Sequence, residues 1–140
     1  MSGEKNLDKL IASMSPELLE DKYIFHSVAD IDWASIAKLI PKGVFQEKEG
    51  MTLIINEQTA IDSGIHYDQL YRCITLNVHS SLEAVGLTAA FSNVLTKHNI
   101  SANVVAGYYH DHIFVADKDA QRALTALTSL SLEMAADTKL

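Results

Sequence analysis

The chain has 140 residues, 48% of them hydrophobic, with one cysteine and a formal net charge of −7. That is one domain, or two small ones sharing a sheet, with enough apolar content for a core. The acidic balance, with no cluster of lysine or arginine, argues against a nucleic-acid partner, whose binding depends on phosphate neutralisation. No apolar run approaches the roughly 20 residues that span a bilayer. The N-terminus MSGEKNLDKLI lacks a signal pattern, and Cys73 alone can form no internal disulfide. A reducing, cytoplasmic location is expected, with no membrane contact.

In chain order, Leu7, Leu10, Ile11 and Met14 predict a short helix that Ser15-Pro16 breaks. Glu17 to Glu20 reads as a short edge strand and Tyr23 to Ala29 as a clearer one. Asp30-Ile31-Asp32 leads into a brief helix from Trp33 to Ile40, ended by Pro41 and Gly43. Val44 to Gln46 and Met51 to Ile55 form a hairpin, and Asn56 caps a helix that stops at Ser63-Gly64. Ile74, Leu76 and Val78 alternate with polar residues, which gives a strand with one buried face. Leu87, Ala90, Phe91, Val94, Leu95 and His98 lie on one face of an amphipathic helix. Ile100 to Tyr109 reads as a strand, His110-Asp111 as its turn and Ile113 to Val115 as the return. Asp117 is placed to cap a last helix carrying Ala120, Ala123, Leu124, Leu127 and Leu130 on one face.

The chain also repeats itself. Shifted by 60 residues, Val44 falls on Val104, Leu53 on Ile113, Ile54 on Phe114 and Ile55 on Val115. Shifted by 50, Ile24 falls on Ile74 and Val28 on Val78. Two β-α-β-β-α units follow, divided as residues 1–68 and 69–140, in an α+β fold. Nothing Pro-rich or Ser-rich separates them.

Gly86, Phe91, Leu95, Ile100 and Asn103 match the helix-to-strand pattern of ACT domains. The runs ITLNVHSSLEAVGLTAAFS and NVVAGYYHDHIFV make the chain similar to a bacterial family of short, free-standing tandem ACT proteins without a settled activity. The first half resembles that family more loosely, through YIFHSV and EGMTLII. The resemblance implies two tandem ferredoxin-like units, antiparallel sheets with helices on one face, commonly paired as a homodimer. It also implies a regulatory module for a small-molecule effector such as an amino acid, with neither catalysis nor cofactor. The second unit shows no final strand after its last helix; the segment from Pro16 to Glu20 can supply one.

The candidate site is the turn after the strand ending near Val78: His79, Ser80, Ser81, Leu82, Glu83, Val85, Gly86 and Leu87. A helix start offers unpaired N–H groups and a positive dipole end to a carboxylate. Asn103 and Val104, entering the next strand, are expected to complete it, with Asn103 orienting an amino group. The same residues also read as an ordinary capping box, Ser80 with Glu83, beside a packing glycine. His110 and His112 face one side of an extended chain, as a metal pair would, but no third ligand has suitable spacing, so no metal is expected. His79, Ser80, Ser81 and Glu83 include nucleophile and base types, yet sequence neighbours rarely form a triad and no Gly-x-Ser-x-Gly elbow exists, so no catalytic residue is assigned. The alternative to a ligand module is a structural or interaction protein that works through sheet pairing.

Overall fold

The computed structural model describes residues 6–79, 81 and 84–137. Two compact units divide the chain. Residues Glu20–Tyr71 form one without interruption; the other joins the N-terminal residues through Leu19 to the segment from Arg72 onward.

The contiguous unit takes most of strand β1 (Pro16–Val28), helix α2 (Trp33–Lys38), strands β2 (Gly43–Glu47) and β3 (Gly50–Asn56) and helix α3 (Glu57–Asp62). β3 lies between β2 and β1 and is antiparallel to both, with Tyr23 opposite Asn56 and Val44 opposite Leu53. Alternation sorts the side chains: Met51, Leu53 and Ile55 of β3 and Ile24 of β1 turn to one face and meet Ile36 of α2 and Ala60 of α3. Both helices start as expected. Asp32 accepts from the N–H groups of Ala34 and Ser35 at 3.2 and 3.4 Å, and Asn56 accepts from that of Gln58 at 2.8 Å.

The discontinuous unit holds helix α1 (Leu7–Ala12), the first residues of β1, strand β4 (Tyr71–Leu76) from Arg72 onward, helix α4 (Leu87–Lys97), strands β5 (Asn103–Ala106) and β6 (Asp111–Ala116) and helix α5 (Ala120–Asp137). Its strand order is β1-β4-β6-β5. Ile74 and Leu76 of β4 and Ile113 and Val115 of β6 pack against Phe91 and Leu95 of α4, Ala123 and Leu127 of α5, and Leu10 of α1. α1 is tied to the last helix as well: the Ser131 hydroxyl donates to Ala12 O at 2.9 Å.

The 60-residue repeat extends to strand register. Val44 pairs with Leu53 and Val104 with Ile113; Phe45 pairs with Thr52 and Val105 with His112. Every β2–β3 pair from Gly43–Ile54 to Gln46–Met51 has its counterpart 60 positions later. The architecture is therefore α+β, ferredoxin-like and tandem.

Four details differ from the sequence expectations. The edge strand and the strand from Tyr23 are one strand of 13 residues; with neither glycine nor proline at Asp21-Lys22, nothing forces the chain to turn there. The last helix begins with a 3-10 turn, Asp117–Asp119, whose N-cap position is held by Ala116 rather than Asp117. β5 is only four residues long. Asp111 opens β6 rather than turning the hairpin; the turn is 107–110, closed by the Gly107 N–H donating to His110 O at 2.9 Å.

Candidate functional site

β4 ends at Leu76, and the chain then crosses to α4, whose N-cap is Gly86. Gly86 has φ +101°, a backbone state that side chains with a Cβ rarely adopt. A glycine brings no capping side chain, and α4 has no side-chain cap bond. The first intrahelical bond runs from Ala90 N to Gly86 O at 2.9 Å. The N–H groups of Leu87, Thr88 and Ala89 consequently lack acceptors within the helix. This helix start differs from the capping-box reading, because α4 begins at Leu87. Ser80, Leu82 and Glu83 lie outside the described residues.

A cleft of about 370 Å³ opens at this point. Ser81 and residues 84–88 line it from the β4–α4 crossing and the helix start; Ala106 and Asp111 line it from the β5–β6 hairpin. Of the sequence candidates, Ser81, Val85, Gly86 and Leu87 are brought together here. Leu87 is buried and Val85 is 83% exposed. His79 stands beside the hairpin tip, its ring 5.3 Å from that of Tyr109 and 6.4 Å from that of Tyr108. Asn103 and Val104 do not line the cleft: they sit at the far end of β5, where the Asn103 amide donates to Phe114 O at 3.2 Å.

Sequence reasoning missed Asp111. In sequence an aspartate beside a hairpin turn carries no signal of a second role. Burial pushes its carboxyl above the ordinary carboxylate range, and neighbouring His110 pulls the other way. A half-buried carboxylate beside a helix start is a candidate partner for a cation. The sign of its effect on stability follows from linkage. With the folded pKa above the unfolded one, the folded state holds the extra proton, so stability falls as pH rises from the ordinary value of 3.8 through the raised one. Asp111→Asn is therefore expected to raise the melting temperature of ligand-free protein at pH 7. The gain should fade as pH falls through the raised range, where the wild-type carboxyl takes up its proton. A melting series against pH checks this; an Asn variant that melts lower at pH 7 would contradict it.

The two histidines of the hairpin are held separately. His110 Nδ1–H donates to Val78 O at 3.3 Å, and His112 Nδ1 is hydrogen-bonded to Thr75 Oγ1 at 2.9 Å. Among the described residues no three His, Cys, Asp or Glu side chains group to hold a metal ion. Cys73 is buried, as a small core residue would be. No described helix is long and apolar enough to cross a membrane.

A larger cleft, about 540 Å³, runs between α4 and α5. It is an open groove between helices, and its guanidinium is committed: Arg122 donates to His98 O at 2.9 Å and to Asp119 at 2.7 Å. Of these two clefts, the smaller combines helix-start N–H groups with a half-buried carboxylate. The corresponding helix start in the other unit is closed by Asp32, whose carboxylate already accepts from α2.

Comparison with known proteins agrees with this architecture. A crystal structure of a Vibrio cholerae protein of unknown function, VC0802, described as a possible transport protein, is 48% identical, with a TM-score of 0.81 over 91% of this chain and 97% of that one. The Agrobacterium tumefaciens protein Atu0741 is 15% identical, with a TM-score of 0.65 over 83% and 87% of the two chains. The ligand-free regulatory subunit of aspartate kinase from Thermus thermophilus is 10% identical, with a TM-score of 0.62 over 84% and 97%. The last two share the fold alone. No curated protein matches the chain significantly. Residues 2–72 match one family described as an ACT domain, and residues 70–129 match a second of the same description. The chain belongs to the ACT-domain family and carries two ACT domains in tandem.

Proposed function

We propose that this protein binds a free α-amino acid in the cleft at the start of α4, as a regulatory effector, and performs no reaction on it. The observation that carries the reading is the pairing of opposite polarities in one cleft. N–H groups at the helix start suit the ligand's carboxylate, and Asp111 suits its ammonium group. Each charge-assisted hydrogen bond contributes about 1.5–3 kcal/mol. Two or three give micromolar affinity once association losses are subtracted. His79, Ser80, Ser81, Leu82, Glu83, Val85, Gly86 and Leu87 remain the proposed ligand-binding stretch, with Asp111 taking the ammonium role first assigned to Asn103. We keep 68/69 as the proposed boundary between the repeats.

The test is calorimetry with each common amino acid at millimolar concentration, together with melting. At 100 times its dissociation constant the ligand adds about 2.7 kcal/mol of stability. Absence of both binding heat and a melting shift for every amino acid would end this reading in favour of an interaction module.

The second reading has one observation of its own. β2 is the outer strand of its unit, and Phe45 on it is 72% exposed. An uncovered strand with a bare aromatic ring invites pairing, so a homodimer accompanies either reading. Light scattering on the calorimetry sample should then give about twice 15.4 kDa.

A further inference from the structure

The two hairpins of the tandem share a register but end in different chemistry. In the β2–β3 hairpin the tip is Lys48-Glu49, the charged pair that a solvated turn ordinarily carries. Sixty positions on, the β5–β6 hairpin presents Tyr108-Tyr109 instead. Both rings are 61% exposed. They meet edge to face, with centroids 5.0 Å apart and planes at 74°, and His79 leans on Tyr109 at 5.3 Å. Among the described residues, no core packing accounts for these exposed paired rings at the hairpin tip.

Their place accounts for them. Ala106 and Asp111, the last and first strand residues on either side of this turn, both line the cleft of about 370 Å³. The turn between them is fixed by the Gly107 N–H to His110 O bond. His79 stands two positions before Ser81, which lines the same cleft. The rings therefore stand beside the cleft, just outside its lining residues, on the turn that joins two of them. The aromatic tip and the helix start without a side-chain cap occur in the same unit. In the other unit the tip is charged and Asp32 closes the helix start.

We propose that the amino acid taken by this cleft has an aromatic side chain, seated against the rings of Tyr108, Tyr109 and His79. The inference rests on the amino-acid reading above and adds the class of side chain. An incoming ring extends an edge-to-face cluster at centroid separations of about 4.5–7 Å, a geometry aromatic groups prefer. An aliphatic side chain gains buried area there but no ring contact. A cationic side chain would meet the tyrosine faces, but also the imidazoles of His79 and His110. The described carboxylate in the cleft, Asp111, is taken by the ligand's own ammonium group. The volume lies in the range of small-ligand sites, about 300–1,000 Å³.

The experiment is titration calorimetry with L-phenylalanine, L-leucine, L-alanine and L-lysine on the full chain. L-Phenylalanine should bind at least tenfold tighter than L-leucine, about 1.4 kcal/mol. In the Tyr108→Leu, Tyr109→Leu double variant that ratio should fall below threefold. In the Tyr108→Phe, Tyr109→Phe double variant it should survive, because the ring and not the hydroxyl makes the contact. Circular dichroism confirms that each variant is folded, and the two single leucine variants replace the double one if it is not. Wild-type affinities for phenylalanine and leucine within threefold, tighter binding of lysine, or a preference that survives both leucine changes would each overturn the proposal. If all four amino acids bind alike, the side-chain assignment falls while the amino-acid site stands. If none of the common amino acids gives heat or a melting shift, both fall together.

Discussion

Replacing Phe91 with alanine is expected to remove about 3–5 kcal/mol of stability. Phe91 is fully buried. It stands on the face of α4 that meets Ile74 and Leu76 of β4, Val115 of β6 and Leu127 of α5. These neighbours belong to three different elements, each held by its own backbone bonds, so they cannot close together over the space a ring leaves. The loss therefore includes a cavity term as well as the transfer term. Whole domains hold only about 5–15 kcal/mol, so this one change takes a large share. Urea unfolding should show a lower midpoint with an unchanged slope. Amides of α4 and β4 should exchange faster. A loss below about 1 kcal/mol would mean that α4 does not pack on this core as described.

Gly86→Val should abolish amino-acid binding at millimolar ligand, and destabilise the protein by about 1–3 kcal/mol. Two separate effects contribute. At φ +101° any Cβ is strained, a β-branched one most. In addition, a Cβ built here would stand 3.0 Å from Leu7 Cδ2. Leu7 is the flexible end of a side chain and can give way, whereas the backbone strain remains. The valine methyls would also stand among the N–H groups offered to the ligand's carboxylate. Gly86→Ala separates the contributions, keeping the backbone strain with less bulk. Calorimetry and melting on the same samples read both. A valine variant that binds with unchanged affinity would move the site away from the start of α4.

How much of this was legible beforehand depended on how far each signal reached along the chain. Asp32 and Asn56 announced α2 and α3 because a cap acts within three residues. The hairpins were legible because period-two burial in β3 and β6 repeats 60 positions apart, and the register kept the same offset. Three features escaped local reading. The Ser80-to-Glu83 spacing fits a capping box, but the helix waits for Gly86, whose left-handed backbone sets its start. Asp111 carried a turn residue's identity, yet the turn closes one residue earlier, between Gly107 and His110. Its place in the cleft depends on α4, more than twenty positions away, and no local pattern encodes that. Asn103 was placed by motif, and the direction of β5 carried it away from the cleft.

The discontinuous unit has a consequence for the making of the protein. A nascent chain emerges from its N-terminus at about 5–20 residues per second. Residues Glu20–Tyr71 hold all the packing partners of their own unit, so that unit can close while the remainder is still being made. Leu10, Ile11 and Met14 emerge earlier but belong to a core whose other members reach as far as Leu127. The bond from Ser131 to Ala12 joins positions 119 apart. Until α5 is complete, the first helix keeps its apolar side uncovered, a surface open to aggregation or to a chaperone. Closing so long a loop is slow, though the added entropy grows only with the logarithm of its length. A folded middle unit also replaces slack chain within that loop. The order of synthesis thereby becomes an order of folding, in which α1, made before the middle unit, is seated after it.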